Sequence, residues 1–104
     1  MLMIGWTTVT TREQAEILAQ GLIESRIAAC VQIEGPITSF YKWDGRTERS
    51  EEFRLCVKFI TTRQIDIETW VLSHHPYETP EWITVRAENV SEKYLSWAKS
   101  NTYN

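Results

Sequence analysis

The chain has 104 residues, with 11 Lys and Arg against 14 Asp and Glu and a formal net charge of -3. That length fits one domain, which we assign to residues 1–104. The sequence has no basic run of the kind a nucleic-acid interface needs, and no apolar stretch is long enough for a membrane span. The N-terminus lacks the features of a signal peptide, and there are only two cysteines, so we expect a cytoplasmic protein without a disulfide framework.

The first predicted elements are a strand and an amphipathic helix. Residues 2–9 are apolar and rich in β-formers, which predicts a strand. Thr10 and Glu13 have the spacing of a capping box, so we expect the helix to begin there. The apolar face of this helix consists of Ala15, Leu18, Ala19 and Leu22.

A long hairpin follows. Residues 27–33 and 37–43 alternate as one strand interrupted at Gly35-Pro36, and the next strand covers 46–61. Asp44-Gly45 between them is typical of a type I′ turn, which needs positive φ at both positions.

The remaining elements follow in short succession. A second capping box at Thr61 and Gln64 predicts a helix that ends before Pro76. A loop over 76–81, a strand over 82–87 and a last helix capped by Ser91 complete the chain. The order β-α-β-β-α-β plus a terminal helix predicts an α+β fold of the ferredoxin-like, split βαβ type, in which two helices cover one face of the sheet.

The register of the hairpin can be tested by matching apolar residues across it. Continued from the turn without interruption, the pairing would set Val31 of the core face opposite Lys58. One extra residue moves every side chain to the other face and sets Val31 opposite Val57. Since glycine commonly marks such a site, we predict a β-bulge at Gly35-Pro36.

The second face of the sheet is too apolar for a solvent surface. We expect it to carry Ile37, Tyr41, Trp43, Glu48 and Glu52 beyond the bulge, Cys30, Gln32, Cys56, Lys58 and Ile60 below it, and Trp82 from the last strand. The simplest explanation is that another copy of the chain covers this face. The alternative is that the face is a solvent-exposed surface of mixed polar and apolar residues. The long hairpin should then reach a neighbouring subunit through Tyr41 and Trp43.

Two pairs of residues could bind metal. His74 and His75 are adjacent, so on a helix they lie about 100° apart and seldom chelate one ion together. Their alternative role is a favourable contact with the helix C-terminal dipole. Cys30 and Cys56 are diagonal neighbours in the hairpin and are interpreted as buried thiols, with a soft-metal site as the alternative.

The charged residues of the hairpin leave two possibilities open. Glu48, Glu52 and Lys58, beside Tyr41, could line a wet cavity that binds an anion or a metal, or could form a structural ion-pair network. The sequence contains no catalytic triad order, no P-loop and no dinucleotide-binding glycine motif.

Four segments in the right order together resemble the CutA family of divalent-cation tolerance proteins: "RIAACVQI", "ITSFYKWDGRTERSEEF", "HHPYETPE" and "YLSW". The resemblance implies a ferredoxin-like subunit in a tight homotrimer with long hairpins between subunits, and kinship with PII-type signalling proteins. It implies a role in tolerance to divalent cations, copper especially. The positions that match the family pattern are Tyr41, Trp43, Gly45, Glu48, Glu52, Lys58, His75, Pro76, Tyr77, Glu78, Pro80, Glu81 and Trp97.

From these positions we expect a non-enzymatic homotrimer that binds a metal ion or small ligand between subunits. The expected ligand-binding residues are Tyr41, Trp43, Glu48, Glu52, Lys58, Tyr77, Glu78 and Glu81. The expected metal ligands are His74 and His75, holding Cu²⁺ or another divalent cation weakly, because Thr7 stands where some copper-binding members carry a cysteine.

Three other functions compete with this one. The main alternative is a PII-like trimeric signalling module without a direct metal role, and an enzyme using Glu48, Glu52 and His75 is a further one. The third is an RNA-binding sheet of the same fold class, but the middle strands of this sequence lack the aromatic and basic pattern expected of one. The only partner we expect is the chain itself, with neither nucleic acid nor membrane.

Overall fold

The computed structural model describes residues 1–102. The elements in chain order are β1 (Leu2–Val9), α1 (Arg12–Glu24), β2 (Cys30–Trp43), β3 (Arg46–Ile60), a 3₁₀ turn (Thr61–Arg63), α2 (Gln64–His74), β4 (Ile83–Arg86) and α3 (Glu92–Ser100). The four strands form one sheet in the order β2-β3-β1-β4, and every neighbouring pair is antiparallel. The predicted α+β class and the predicted order of elements are confirmed.

The predicted register of the hairpin and its bulge are also confirmed. Val31 pairs with Val57, and the register shifts between Glu34 and Ile37. A Cβ atom at Gly35 would lie 2.7 Å from the ring of Phe53, and its φ of +147° is one that other residues rarely adopt. The bulge therefore depends on glycine.

The turn of the hairpin has the geometry that its sequence predicts. Asp44 and Gly45 have φ angles of 53° and 77°, which are the two positive values that a type I′ turn requires.

The helix starts differ from their predictions. The capping box of α1 uses Thr11 and Gln14, one residue later than predicted: the Gln14 N–H donates to Thr11 Oγ1 over 3.1 Å. At the second predicted box, Thr61 Oγ1 instead donates to the carbonyl of Met1 over 2.8 Å, and the helix begins after the 3₁₀ turn without a side-chain cap. Ser91 is the N-cap residue of α3, as predicted, but its side chain makes no capping hydrogen bond.

Two of the strands are shorter than predicted. β2 begins at Cys30 rather than at position 27, and β4 covers 83–86 rather than 82–87. The chain bends before β2, where Arg26 has a φ of 63°. A residue in that conformation cannot continue an extended strand.

The main core lies between the sheet and the two longer helices. Its largest fully buried side chains come from β1, β3, α1 and α2: Val9, Leu22, Leu55, Val57, Phe59, Ile67 and Val71. Trp82 packs against this core, with its ring centroid 6.2 Å from that of Phe59. Its predicted place on the opposite face was wrong, because β4 pairs Thr84 with Gly5, and alternation then sets Trp82 on the helix side.

The opposite face of the sheet is covered in part by α3, which corrects the prediction that only another copy covers it. Leu2, Ala29, Ile60 and Ala98 form a second buried cluster there. Beyond α3 the face stays open. Its apolar residues, which we call the open sheet face, are Ile4, Trp6, Ile37, Ile83 and Val85, with Ile83 56% and Val85 44% exposed.

The hairpin projects from this body and gives the molecule extents of 45 × 25 × 22 Å. Its tip is strongly aromatic and exposed: Phe40 is 66%, Tyr41 46% and Trp43 63% exposed. Register places Tyr41 and Trp43 on the side of the open sheet face, and Phe40 on the other side.

Candidate functional site

A groove of about 700 Å³ lies between the hairpin and the loop after α2. We call it the acidic groove. Its lining residues are Thr8, Thr10, Tyr41, Trp43, Glu48, Ser50, Glu51, Glu52, Tyr77, Glu78, Thr79 and Glu81. All the predicted ligand-binding residues except Lys58 line it, so the structure brings together side chains from β2, β3 and the loop. Five of the lining residues are glutamates and none is Lys or Arg.

Lys58 lies elsewhere. Its Nζ donates to Gln32 Oε1 over 2.7 Å and lies 5.9 Å from the centroid of the Tyr94 ring. Lys58 and Glu52 do share a face of β3, but six residues of strand separate them by about 20 Å. Lys58 therefore does not line this groove within one chain, and its predicted role in a site between subunits stays a prediction.

Tyr77 is the organising residue of the groove. Its hydroxyl donates to Glu52 Oε2 over 2.9 Å and lies 2.9 Å from Thr10 Oγ1. Burial raises the pKa of Tyr77, and the neighbouring Glu52 carboxylate raises it further. Tyr77 thus remains a neutral donor that fixes Glu52 in the wall of the groove.

His75 holds the loop that carries Tyr77. The backbone N–H of Tyr77 donates to His75 Nδ1 over 3.0 Å, so the ring proton lies on Nε2 and is donated to the carbonyl of Thr8, also over 3.0 Å. His75 is only 9% exposed, and its ring packs edge-on against Tyr77 at 4.8 Å. Both ring nitrogens are therefore engaged by the backbone, in a neutral tautomer.

Stability should depend on pH through His75. Burial lowers the pKa of His75 from 6.5, against smaller opposing effects of the Thr8 carbonyl and Glu52. The unfolded chain then binds the proton more readily, so this contribution is complete above pH 6.5 and is lost as pH falls below it. We expect urea unfolding between pH 7.5 and 5.5 to show a smaller loss of stability for His75→Gln than for the wild type. The exposed His74→Gln is the control, and parallel curves for wild type and His75→Gln would contradict the prediction.

His74 has a different environment from its neighbour. Its ring stacks on Trp70 with centroids 3.9 Å apart, and Nδ1 lies 2.8 Å from the Trp70 carbonyl. The side chain is exposed, and Nδ1 also lies 3.1 Å from Ser73 Oγ. The two histidines do not converge on one point, as expected for adjacent residues.

Thr7 lies on the core side of β1, paired with Leu55. It is 1% exposed, and its hydroxyl has no hydrogen-bond partner among residues 1–102. An unpaired buried hydroxyl costs stability. No group of three or more His, Cys, Asp or Glu side chains within those residues is arranged to hold a metal ion.

Sequence reasoning missed five residues of the groove: Thr8, Thr10, Ser50, Glu51 and Thr79. Ser50 could have been found, because it shares the face of β3 that carries Glu48 and Glu52. Thr8 and Thr10 could not, since they depend on β1 lying beside β3.

The fold and the groove define a small α+β protein in which an aromatic hairpin projects beside an acidic cleft. Comparison with known proteins then shows the family. The sequence model of the CutA1 divalent ion tolerance protein matches residues 3–101. The divalent-cation tolerance protein CutA of Thermus thermophilus is 36% identical, over 91% of this chain and 92% of its own length. This chain therefore belongs to the CutA1 divalent ion tolerance family, and the resemblance inferred from the four segments is confirmed.

Further relatives agree with this assignment. The chloroplastic protein CutA of Arabidopsis thaliana is 35% identical over 98% of this chain and 56% of its own length. The crystal structure of CutA1 from the psychrotrophic bacterium Shewanella sp. SIB1 superposes with a TM-score of 0.95 at 35% identity, covering 99% of this chain and 96% of that one. Within residues 1–102, no helix is long and apolar enough to cross a membrane.

Proposed function

We propose that this protein is a non-enzymatic homotrimer that supports tolerance to divalent metal ions, copper among them, by binding a cation or small ligand in the acidic groove. The observation that carries the proposal is the concentration of five glutamates and no cationic side chain around one cleft. Such a cleft creates a negative potential that attracts cations. Carboxylates and hydroxyls, both present in the lining, are suitable ligands for divalent ions.

The proposed assembly explains what covers the exposed apolar surface. The open sheet face and the hairpin residues Tyr41 and Trp43 lie on the same side of the sheet. A neighbouring copy would bury both and would close the acidic groove, which faces the projecting hairpin. The strand order β2-β3-β1-β4 supports the ferredoxin-like topology proposed for the subunit, a single domain over residues 1–104. The compartment we propose is the cytoplasm.

Calorimetric titration with Cu²⁺ tests the groove. We expect the triple variant Glu48→Gln, Glu78→Gln, Glu81→Gln to lose about tenfold or more in Cu²⁺ affinity, because three of the five negative charges that attract the cation to the groove are removed. The matched control neutralises three exposed glutamates outside the groove: Glu13→Gln, Glu16→Gln and Glu92→Gln. Equal affinities of the groove variant and the wild type would place the site elsewhere.

The second candidate for a metal site is His74 of the predicted histidine pair, because both ring nitrogens of His75 are hydrogen-bonded to the backbone. It is favoured by the exposure of His74, whose hydrogen bonds within residues 1–102 are made through Nδ1. An imidazole site should bind Cu²⁺ more tightly than Zn²⁺, following the usual order of divalent metals. In that case His74→Ala would lower the affinity and the groove variant would not. The pH profile separates the two as well, because imidazole ligands compete with protons below about pH 6.5 and carboxylates only below about pH 4.3.

The PII-like signalling role is the remaining alternative. It is favoured by the aromatic side chains of Tyr41 and Trp43 in the wall of the groove, which could stack on a planar ligand. A nucleotide panel in the same calorimeter, with and without Mg²⁺, would detect it. Binding of a nucleotide without any binding of Cu²⁺ would favour signalling over metal tolerance.

A further inference from the structure

The two cysteines lie together on the face of the sheet opposite the main core. Cys30 pairs with Lys58, and Cys56 pairs with Gln32, so the thiols are diagonal neighbours across β2 and β3. Both cysteines are free and half-buried. Neither residue lines the acidic groove. The pair is thus a separate candidate site with its own surroundings.

Helix α3 lies over the part of the sheet that carries the two cysteines. Burial raises the pKa of Tyr94, and the nearby thiol of Cys30 raises it further. Lys58 extends over the Tyr94 ring at 5.9 Å. Burial raises the pKa of Cys56, while the positive charge of Lys58 acts in the opposite direction. The charged groups that face Cys56 are Lys58, Glu34 and Arg54.

The diagonal spacing suits a bridging ion better than a disulfide. Diagonal neighbours in an antiparallel pair have Cα atoms about 7–8 Å apart. A disulfide usually requires Cα atoms within about 6.8 Å and sulfurs about 2.05 Å apart. Two metal–thiolate bonds of about 2.3 Å each would instead span roughly 4.6 Å between the sulfurs. A metal ion would therefore bridge the pair with less movement of the strands than a disulfide requires.

We propose that Cys30 and Cys56 bind a soft monovalent cation of the Cu(I) class as a two-coordinate bis-thiolate. Soft thiolate ligands select Cu(I) over harder ions. Each thiol gives its proton to solvent and forms one bond to the ion, so one cation is bound, two protons are released and the complex carries one negative charge. The Lys58 ammonium, adjacent to Cys56 and opposite Cys30, balances that charge. The proposal does not depend on the acidic groove.

Anaerobic titration with Cu(I), in competition with the chromogenic chelator bicinchoninate, tests this site on the full chain. We expect one Cu(I) per chain, and loss of competitive binding in Cys30→Ser and in Cys56→Ser. Lys58→Met should weaken binding about 10–100-fold, as expected for a partner that supports the ligands. Ser39→Ala, which lies on the same hairpin away from the thiols, is the matched control and should bind like the wild type.

Two measurements on the wild type guard against variants that fail to fold. Because two protons leave per ion, the affinity should fall about a hundredfold for each unit of pH below neutrality. Cu(I) should also protect both thiols from iodoacetamide, as read by mass spectrometry. Full Cu(I) binding by a double serine variant, in which Cys30→Ser and Cys56→Ser are combined, would overturn the proposal. An affinity independent of pH, or thiols that Cu(I) leaves unprotected, would overturn it as well.

The same variants distinguish this site from the acidic groove. The triple glutamine variant of the groove should keep its Cu(I) affinity, and the double serine variant should keep its Cu²⁺ affinity. Loss of Cu(I) binding in the groove variant alone would assign the ion to the glutamates and overturn the thiol site.

Discussion

Replacing Tyr41 and Trp43 together by alanine is expected to convert the proposed trimer into monomers at micromolar concentration. Both side chains are exposed in the isolated chain, by 46% and 63%, and lie on the side of the open sheet face. Exposed aromatics on a projecting element are typical interface anchors, and each costs about 2 kcal/mol or more when it is truncated. The double variant should therefore lose several kcal/mol of association energy, as measured by sedimentation equilibrium.

Phe40 provides a matched control for this experiment. It is 66% exposed and adjacent to Tyr41, but it lies on the opposite side of the hairpin. Phe40→Ala should leave the assembly intact if the contact is made on the side of the open sheet face. Dissociation by Phe40→Ala alone would move the interface to the other side, and a wild-type particle of 12.2 kDa in light scattering would refute the trimer itself.

Gly5→Val is expected to destabilise the sheet strongly. A Cβ atom at position 5 would lie 2.5 Å from the Trp82 ring, a distance that requires the ring to move. The ring cannot retreat freely, because it packs against Phe59 in the core. Overpacking of this kind costs about 1–3 kcal/mol and occasionally more. We expect a loss of about 3 kcal/mol in the free energy of unfolding by urea denaturation.

A second substitution should rescue this variant. Trp82→Leu removes the ring atoms that meet the new side chain, so Gly5→Val should cost much less in that background. The difference between the two costs is the coupling energy, which for residues in contact reaches about 0.5–3 kcal/mol. Additive effects of the two substitutions would show that the cost arises elsewhere, for example from the backbone at Gly5.

Much of the hairpin could be predicted from sequence, because two independent patterns constrain it. The Asp44-Gly45 turn sets the pairing at one end, and the apolar residues Val31 and Val57 set it at the other. Only a one-residue bulge reconciles the two, and Gly35 is where it occurs. A register that is constrained at both ends leaves few alternative ways to pair the two strands.

The helix starts were less predictable because the local motifs are ambiguous. The capping-box spacing occurs twice in succession, at Thr10 with Glu13 and at Thr11 with Gln14, and only the second forms. At Thr61 the hydroxyl has a competing acceptor in the carbonyl of Met1, sixty residues earlier in the chain. No local pattern reveals a competitor so distant in sequence.

The candidate site, like the fold, could be predicted from the sequence only in part. Strand alternation placed Glu48, Glu52 and Lys58 correctly on one face, but alternation does not say how far apart they lie along the strand. The role of His75 was also hidden from sequence, because its partners are the backbone groups of Thr8 and Tyr77. Whether the histidines bind metal, and whether the chains form trimers, stays a prediction.

The central position of β1 has a consequence for how the chain folds during synthesis. Leu2 pairs with Ile60, and Met3 pairs with Arg86, so β1 leaves the ribosome before either partner strand exists. The β2–β3 hairpin is closed by a two-residue turn and can form early. Docking of β1 must instead close a long loop, which costs chain entropy. Such distant pairings slow folding. The first of the four strands to be synthesised therefore has to wait for β3 before it can pair, and the edge strand β4, whose only neighbour is β1, joins the sheet after it.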